Sequence, residues 1–434
     1  MYIYSVIDYI MNRKRTKTEG TYPMATKVVI TGRGLVTPLG AGLAANIEAL
    51  KTAKSGISLC ESFRENALES QVAGKINFEY DCPLFERKLL RFMPENAKMA
   101  VYAAYEAILE AGYTPETLPG DKMAVINGCG GSAYGELYPN VRKFEEARSI
   151  RKVTPFSVPR IMPSSAVANL SLVYKIKGES YDISCACTSS ALAIMAGARL
   201  IRSGEYDIVL VGGSEEVSWP QALGFNAMKA LSHTYNETPE KASRPFDTAR
   251  DGFVIAEGSG MLILESEEHA KARGAKIRCE LSGYASNSNA TDMVVPDVAA
   301  STEVMRLCLE NAGLKPEDIS YINTHGTSTG VGDPVELEAI GNVFGTEGKV
   351  AINSTKSQTG HMIGAAGAVE AIFTSLMMEH AFISKSANLE NVVEGFEWAD
   401  LVKELREGVE IRHALSNSFG FGGTNASLIL SKYE

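Results

Sequence analysis

Two cysteines one residue apart, Cys185 and Cys187, stand in "SCACTSSALAI" between a short β-rich run and a stretch of small, helix-compatible side chains. A thiol where a strand gives way to a helix meets that helix's unpaired first N–H groups and the positive end of its dipole, which stabilise a thiolate nucleophile. Strand alternation points both sulfurs the same way, so periodicity does not choose between them. Position favours Cys187, which directly precedes Thr188, Ser189 and the Ala-rich run. The competing reading makes both cysteines small core residues, the common fate of a free thiol.

Further groups that could serve a nucleophile lie in the second half of the chain. "YINTHGTSTGVGDPVELEAI" places His325 at a strand end before a Gly/Thr/Ser turn. "INSTKSQTGHMIGAAGAVEA" places Lys356 and His361 around another strand-to-helix turn, with Glu370 inside the small-residue helix that follows. "SNSFGFGGTNASLIL" supplies a glycine-rich aromatic loop containing Phe421. Gly/Thr-rich junctions let main chain approach a ligand closely, and three of them at strand ends point to one site. His233, His269, His380 and His413 lack such a setting and read as packed or surface residues. Cys-X-Cys has no second ligand pair elsewhere, so no metal is expected.

The elements that must position these groups form two series. Strand patterns at "KVVIT", "MAVING", "YDIS", "DIVLVGG" and "GMLILE" alternate with helical patterns, and five more follow at "IRCELSGYAS", "ISYINTH", "KVAINSTK", "HALSNSF" and "ASLILSK". This is an α/β class with buried sheets. Both series contain a strand, a polar turn and a helix of small residues, which suggests a duplication divided near Ala272 at "ARGAK". The expected organisation is a half over 24–271 that carries the nucleophile and a half over 272–434 that carries the histidines.

Whole-chain properties narrow the function. With 42 basic and 52 acidic residues among 434, the net charge is 42 − 52 = −10, which gives a nucleic acid no global attraction. Seven scattered cysteines lack paired spacing and fit a reducing cytoplasm. The longest apolar helical candidate, Met362 to Met378, contains Glu370 and many Gly and Ala, so it reads as a buried helix and no membrane span is expected. In the first 23 residues Asp8 interrupts the apolar run and the basic residues follow it, the reverse of a secretory leader. A flexible extension before a start at Met24 is expected there.

The motifs resemble those of the β-ketoacyl-acyl-carrier-protein synthases, condensing enzymes of fatty acid synthesis within the thiolase superfamily. "VITGRGLVTPLG", "ISCACTSS", "KASRPFDTARDGFVIAEGSGM", "THGTSTGVGD", "STKSQTGHMIGAAGAVEA" and "SNSFGFGGTN" occur in the family's order from Met24 to Glu434. "RKLLRFM", "FNAMKALS" and "YNETPEKASRPFD" make the chain most similar to the type I elongating synthases, with the type II enzymes sharing much of the rest.

The resemblance implies a thiolase-like duplicated five-layered α/β/α/β/α fold, a homodimer and a Cys-His-His site. It implies an acyl group on Cys187, decarboxylation of malonyl-acyl-carrier protein with His325 and His361 as catalytic histidines, and a 3-oxoacyl product. Lys356 matches the family's lysine, in a supporting catalytic role, and Glu370 its neighbouring glutamate. The N–H groups of Cys187 and Phe421 match the oxyanion hole, with Phe421 as gate. Thr327 and Thr329 match the threonines that hold the phosphopantetheine arm, and Phe225 is read as lining the acyl pocket. Docking of acidic carrier protein is assigned to Arg87, Lys88 and Arg91, the first and last four apart on a helix face, together with Arg148, Arg151 and Lys152. No cofactor is implied beyond the carrier's phosphopantetheine.

Two positions depart from the family. Cys185 replaces Ser or Thr and is expected to be a buried neighbour, and Gly330 replaces a proline, which is expected to loosen its turn. Thiolases use a late second cysteine, but none follows Cys308; the initiating synthases have Asn where His361 stands. The remaining alternatives are a ketosynthase subunit of a type II polyketide or aryl polyene pathway paired with a chain-length partner, and a non-catalytic carrier-binding subunit.

Overall fold

The computed structural model describes residues 26–434. The extension expected over 1–23 lies outside them.

All ten expected strands form. The first five are β1 (Val28–Thr37), β2 (Ala124–Gly128), β3 (Ser180–Ile183), β4 (Ile208–Glu215) and β5 (Gly258–Ser266), and they lie in the order β3-β2-β4-β5-β1. The next are β6 (Cys279–Ser288), β7 (Tyr321–Asn323) and β8 (Ala351–Asn353), then a two-residue edge strand β9 (Asp400–Leu401), β10 (His413–Gly420) and β11 (Thr424–Ser431). Without β9 their order is β8-β7-β10-β11-β6, the same permutation. The strand directions repeat as well. In each set the second strand pairs parallel with the third and fourth, and the fifth pairs antiparallel with the fourth and first. β1 and β6 join the sets through Val29↔Glu280 and Ile30↔Cys279.

Helices complete five layers. On the outer side of the first set lie α1 (Glu95–Glu110) and, beyond α2 (Tyr134–Ala147), α3 (Ser165–Tyr174), whose apolar residues share one core with β2, β4 and β5. α4 (Ser189–Arg202) is the helix expected after Cys187, and α5 (Trp219–Ala227) follows β4. The second set is covered outside by α6 (Val298–Ala312) and α7 (Gly332–Phe344). α8 (Ala366–Glu379) lies with α4 between the two sets, in a core that draws on both. Strands covered on both faces are buried along their whole length, as β1 and β4 are, and their residues are mostly apolar.

Small residues allow the central helices to meet: Ser190 Oγ of α4 accepts the Ala368 N–H of α8 at 2.9 Å. The seam is tied elsewhere by Arg33, buried on β1. Its guanidinium reaches Glu110 of α1 at 2.8 Å, Ser375 Oγ of α8 at 2.7 Å and Glu379 of α8. Removing one partner of such a group leaves a buried charge uncompensated, so the network holds the two sets in one register.

Strand β1 lies directly on the backbone of α1, where a Cβ at Gly34 would stand 1.9 Å from Ala103 O. Gly34→Ala is expected to lower stability in urea by about 1–3 kcal/mol. Gly224→Ala, in α5 with nothing within 4 Å of its Cβ, should be neutral or stabilising. Equal midpoints for the two variants would show that the strand can move away from the helix.

Candidate active site

Cys187 sits on a sharp elbow between β3 and α4. Ala186, between the two cysteines, takes φ +48°, a left-handed conformation that is strained for a residue with a Cβ. Hydroxyls hold the elbow: Thr188 Oγ1 donates to Cys185 O at 2.7 Å, while Ser189 Oγ donates to Ala186 O at 2.6 Å and accepts the Cys185 N–H at 2.9 Å. Among the described residues, Cys187 and not Cys185 lines the cavity and meets the histidines. Cys185 is half-buried, where the sequence reading expected a buried neighbour, because the elbow lies near the edge of its sheet.

The second set of strands brings the imidazoles. His361 Nε2 lies 3.0 Å from Cys187 Sγ, and the His325 ring stands 5.2 Å from the His361 ring, nearly perpendicular at 89°. Phe253 packs edge-on against His361, with ring centres 5.5 Å apart. The sulfur and the ring nitrogens lie within 4.8 Å of one another, a spacing that a metal ion could bridge. The positive charge of Lys356, which bears on all three groups, opposes a divalent cation there.

Burial decides the protonation states. It pushes the Cys187 thiol up to about 12, against the charge of Lys356 and the N–H groups of Phe421 and Cys187 itself, which draw it down. The expectation that the helix terminus yields a thiolate is therefore corrected: the donors are in place, but the cost of desolvating a charge outweighs them. Burial and Lys356 hold His325 and His361 well below the ordinary histidine range, so both rings are neutral at physiological pH. Among the described residues the Nδ1 atoms of both rings are buried without partners, so no hydrogen bond at Nδ1 fixes either ring's tautomer.

Buried carboxylates fix the surrounding turns. Lys356 Nζ and Glu370 Oε1 are 2.5 Å apart, with both side chains almost fully buried. Burial pushes the Glu370 carboxyl above its ordinary range, and Lys356 opposes this. Glu336 on α7 accepts the N–H groups of His325 at 2.8 Å and Gly326 at 2.7 Å, and Asn417 Nδ2 at 3.1 Å. Glu215 at the end of β4 accepts the N–H groups of Gly130, Gly131 and Gly364, which ties the first set's loop to the turn after His361. Sequence reasoning passed over Glu336 and Glu215. The available signal was an acid within an otherwise apolar element, in "VELEAI" and "IVLVGGSE".

A cavity of about 790 Å³ opens from the sulfur and is lined by Cys187, His325, His361, Thr327, Thr329, Phe225 and Phe421. The Thr327 and Thr329 hydroxyls lie 3.2 Å apart. Gly330 was expected to loosen this turn, but Arg250 clamps it: Nε donates to Thr329 O and Nη2 to Gly330 O, both at 2.8 Å. The loop bearing Phe421 needs glycine at 423, where φ is +74° and a Cβ would fall 1.8 Å from Asn289 Oδ1.

Arg87, Lys88, Arg91, Arg148, Arg151 and Lys152 are all exposed on the first half, away from the cavity walls. The helix expected to carry Arg87 and Arg91 is a single turn, Arg87–Leu90, with Arg91 as its C-cap. Arg91 lies over the Phe156 ring at 5.6 Å, and Lys88 pairs with Glu86 at 2.8 Å.

The site can therefore present a neutral thiol to a neutral imidazole, and two imidazoles with two main-chain N–H groups to a carbonyl. Comparison with known proteins agrees with that capacity. Residues 25–270 match the family model for the beta-ketoacyl synthase N-terminal domain, and residues 278–390 match that for the C-terminal domain. The 3-oxoacyl-acyl-carrier-protein synthase 1 of Haemophilus influenzae is 43% identical over 409 residues, covering 94% of this chain and 99% of that protein. A beta-ketoacyl synthase from Burkholderia phymatum superposes with a TM-score of 0.89 at 34% identity, covering 94% of this chain and 100% of the other. A ketosynthase solved in complex with its type II PKS acyl-carrier protein and bound to a hexaketide gives 0.86 at 31% identity, with the same coverages.

One expectation follows from the raised thiol. Alkylation of Cys187 by iodoacetamide, with Cys187→Ala as the blank for Cys185, should climb about tenfold per pH unit from about 6.5 to 9.5 without levelling. A plateau near neutrality would mean a thiolate is already present.

Proposed function

The chain belongs to the β-ketoacyl synthase family, and on that premise we propose how its residues carry out condensation in fatty acid elongation. The protein is an acyltransferase that joins an acyl group to the two-carbon unit of malonyl-acyl-carrier protein, releasing carbon dioxide and giving 3-oxoacyl-acyl-carrier protein. The observation that carries the residue assignment is the 3.0 Å approach of His361 Nε2 to Cys187 Sγ at the cavity wall, with His325 beside it.

In the first half-reaction Cys187 attacks the carrier-bound thioester. Its proton passes to His361 Nε2 and then to the departing phosphopantetheine thiol, leaving the acyl group on sulfur. In the second, Nε2–H groups of His325 and His361 donate to the malonyl thioester carbonyl and stabilise the enolate formed as carbon dioxide leaves. The unlocked tautomers allow His361 to accept in one step and donate in the other. The enolate carbon attacks the acyl carbon, the N–H groups of Cys187 and Phe421 receive the oxyanion, and collapse expels the sulfur, which recovers a proton from solvent. Lys356 and Glu370 support the His361 turn. Thr327 and Thr329 hold the pantetheine arm, and Phe225 lines the acyl side. No cofactor is required beyond the carrier's prosthetic arm.

Acyl carrier protein is the partner, docked on the basic groups from Arg87 to Arg91 and from Arg148 to Lys152. A second copy of the chain is the other. Helix α2 exposes Tyr134, Leu137, Tyr138, Val141 and Phe144 at helical spacing, and among the described residues β3 ends its sheet with a free edge. Seven unpaired cysteines fit a cytoplasmic location. Among the described residues no helix is long and apolar enough to cross a membrane. A type II polyketide ketosynthase remains the second reading, supported by the shape of the hexaketide-bound neighbour but at lower identity, 31% against 43%.

Incubation with acyl- and malonyl-acyl-carrier protein should give an acyl adduct on Cys187 and a product two carbons longer. Cys187→Ala should abolish the adduct. His325→Ala should cost condensation about 100-fold or more while sparing acylation. An adduct of equal yield on Cys187→Ala would refute the choice of sulfur. In analytical ultracentrifugation the protein should sediment as a dimer, and Leu137→Glu with Val141→Glu as a monomer; a monomeric wild type would refute the second-copy assignment.

A further inference from the structure

The turn that carries Thr327 and Thr329 into the cavity wall belongs to the second half, but a loop of the first half holds it. Its outer side is open: a Cβ at Gly330 would meet nothing within 4 Å, and Val331 is 56% exposed. Ser328, between the two threonines, takes φ +71°, a left-handed conformation that a residue with a Cβ keeps only under constraint. That constraint comes from residues 244–252. The Arg244 N–H donates to Ser328 Oγ and the Gly252 N–H to Ser328 O, both at 3.1 Å.

Arg250 closes this bed. Besides its bonds to the Thr329 and Gly330 carbonyls, its Nη1 donates to Asp247 O at 2.9 Å, so all three guanidinium nitrogens are engaged. Its side chain is only 8% exposed and lies 3.8 Å from the buried Asp333 carboxylate of α7. Asp333 in turn accepts the N–H groups of Ser328 at 3.0 Å, Thr329 at 3.3 Å and Phe246 at 2.8 Å. The turn is thus gripped by its carbonyls and its N–H groups at once. Thr327 and Thr329 line the cavity, whereas Arg250 stands behind them and is not part of the wall.

A planar fork fixed on three acceptors holds a loop in one geometry, and a ligand that meets a preset loop loses no binding energy to ordering it. We propose that Arg250 is a positioning residue for the pantetheine arm. It presets the turn of Thr327 and Thr329, and so governs how tightly thioesters that carry the arm bind, without acting on the thiol or the imidazoles. The inference rests on the reading that Thr327 and Thr329 hold that arm.

The test uses the full chain and two octanoyl donors, S-octanoyl pantetheine and the armless S-phenyl thiooctanoate, with loading of Cys187 read by intact mass. The ratio of their second-order loading rates should fall about tenfold in Arg250→Gln, with the loss in half-saturation and not in the limiting rate. Arg250→Lys, which keeps the charge beside Asp333 but offers no fork, should lie between that variant and the wild type. Thr327→Val with Thr329→Val should lower the ratio too. Adding Arg250→Gln to that pair should lower it by less than about a further twofold, because the anchors are already gone. An unchanged ratio in both Arg250 variants beside a lowered ratio in the threonine pair refutes the role of Arg250 alone. An unchanged ratio in the threonine pair refutes the anchor reading and the inference with it. An equal loss with both donors leaves the ratio unmoved, marks a merely structural role and overturns the proposal. One measurement needs no variant to fold: hydrogen exchange at Ser328 and Thr329 of the wild type should be slow before any ligand is added, and exchange within seconds would show that the turn is not preset.

Discussion

Lys356 acts on every titratable group at the reaction centre. Its ammonium, 2.5 Å from Glu370 and shut away from solvent, draws the Cys187 thiol down and helps hold His325 and His361 neutral. It also opposes the rise that burial imposes on Glu336 and Glu370. With one positive charge already beside them, a second on either imidazole would be strongly disfavoured. The centre is thus built of neutral N–H donors and a neutral thiol. That suits a reaction whose difficult moment is the appearance of an oxyanion, and it requires no strong base.

The duplicated strand order places these groups. Each set of strands delivers its functional residues at strand ends that face the seam: the elbow after β3 and the turns after β7, β8 and β10. Because α4 and α8 meet between the sets through small residues, the ends converge, and buried carboxylates satisfy the main-chain N–H groups that such tight turns expose. Glu336 and Glu215 do for the loops what Lys356 and Glu370 do for the charges.

Much of this was legible beforehand. The strand patterns stood out because strands covered on both faces are mostly apolar, and the small-residue runs marked the two central helices. Cys187, His325, His361, Lys356 and Phe421 could be picked out because each stands in a junction whose composition departs from its surroundings, and Glu370 because it is an acid inside a helix of small residues. Glu336, Glu215 and Arg250 were not, since their partners are main-chain atoms or side chains far away in sequence. The helix expected at Arg87 is present but is a single turn.

By itself the sequence determined the class of fold, the doubling of its pattern and which residue types were available for acyl chemistry, since those follow from periodicity and local composition. Only the tertiary structure decided that burial raises the thiol, that Cys187 and not Cys185 meets the histidines, and that buried carboxylates hold the turns around them. The reason is that protonation and access depend on how much water is removed and which charges remain nearby, and these are set by segments up to hundreds of residues apart.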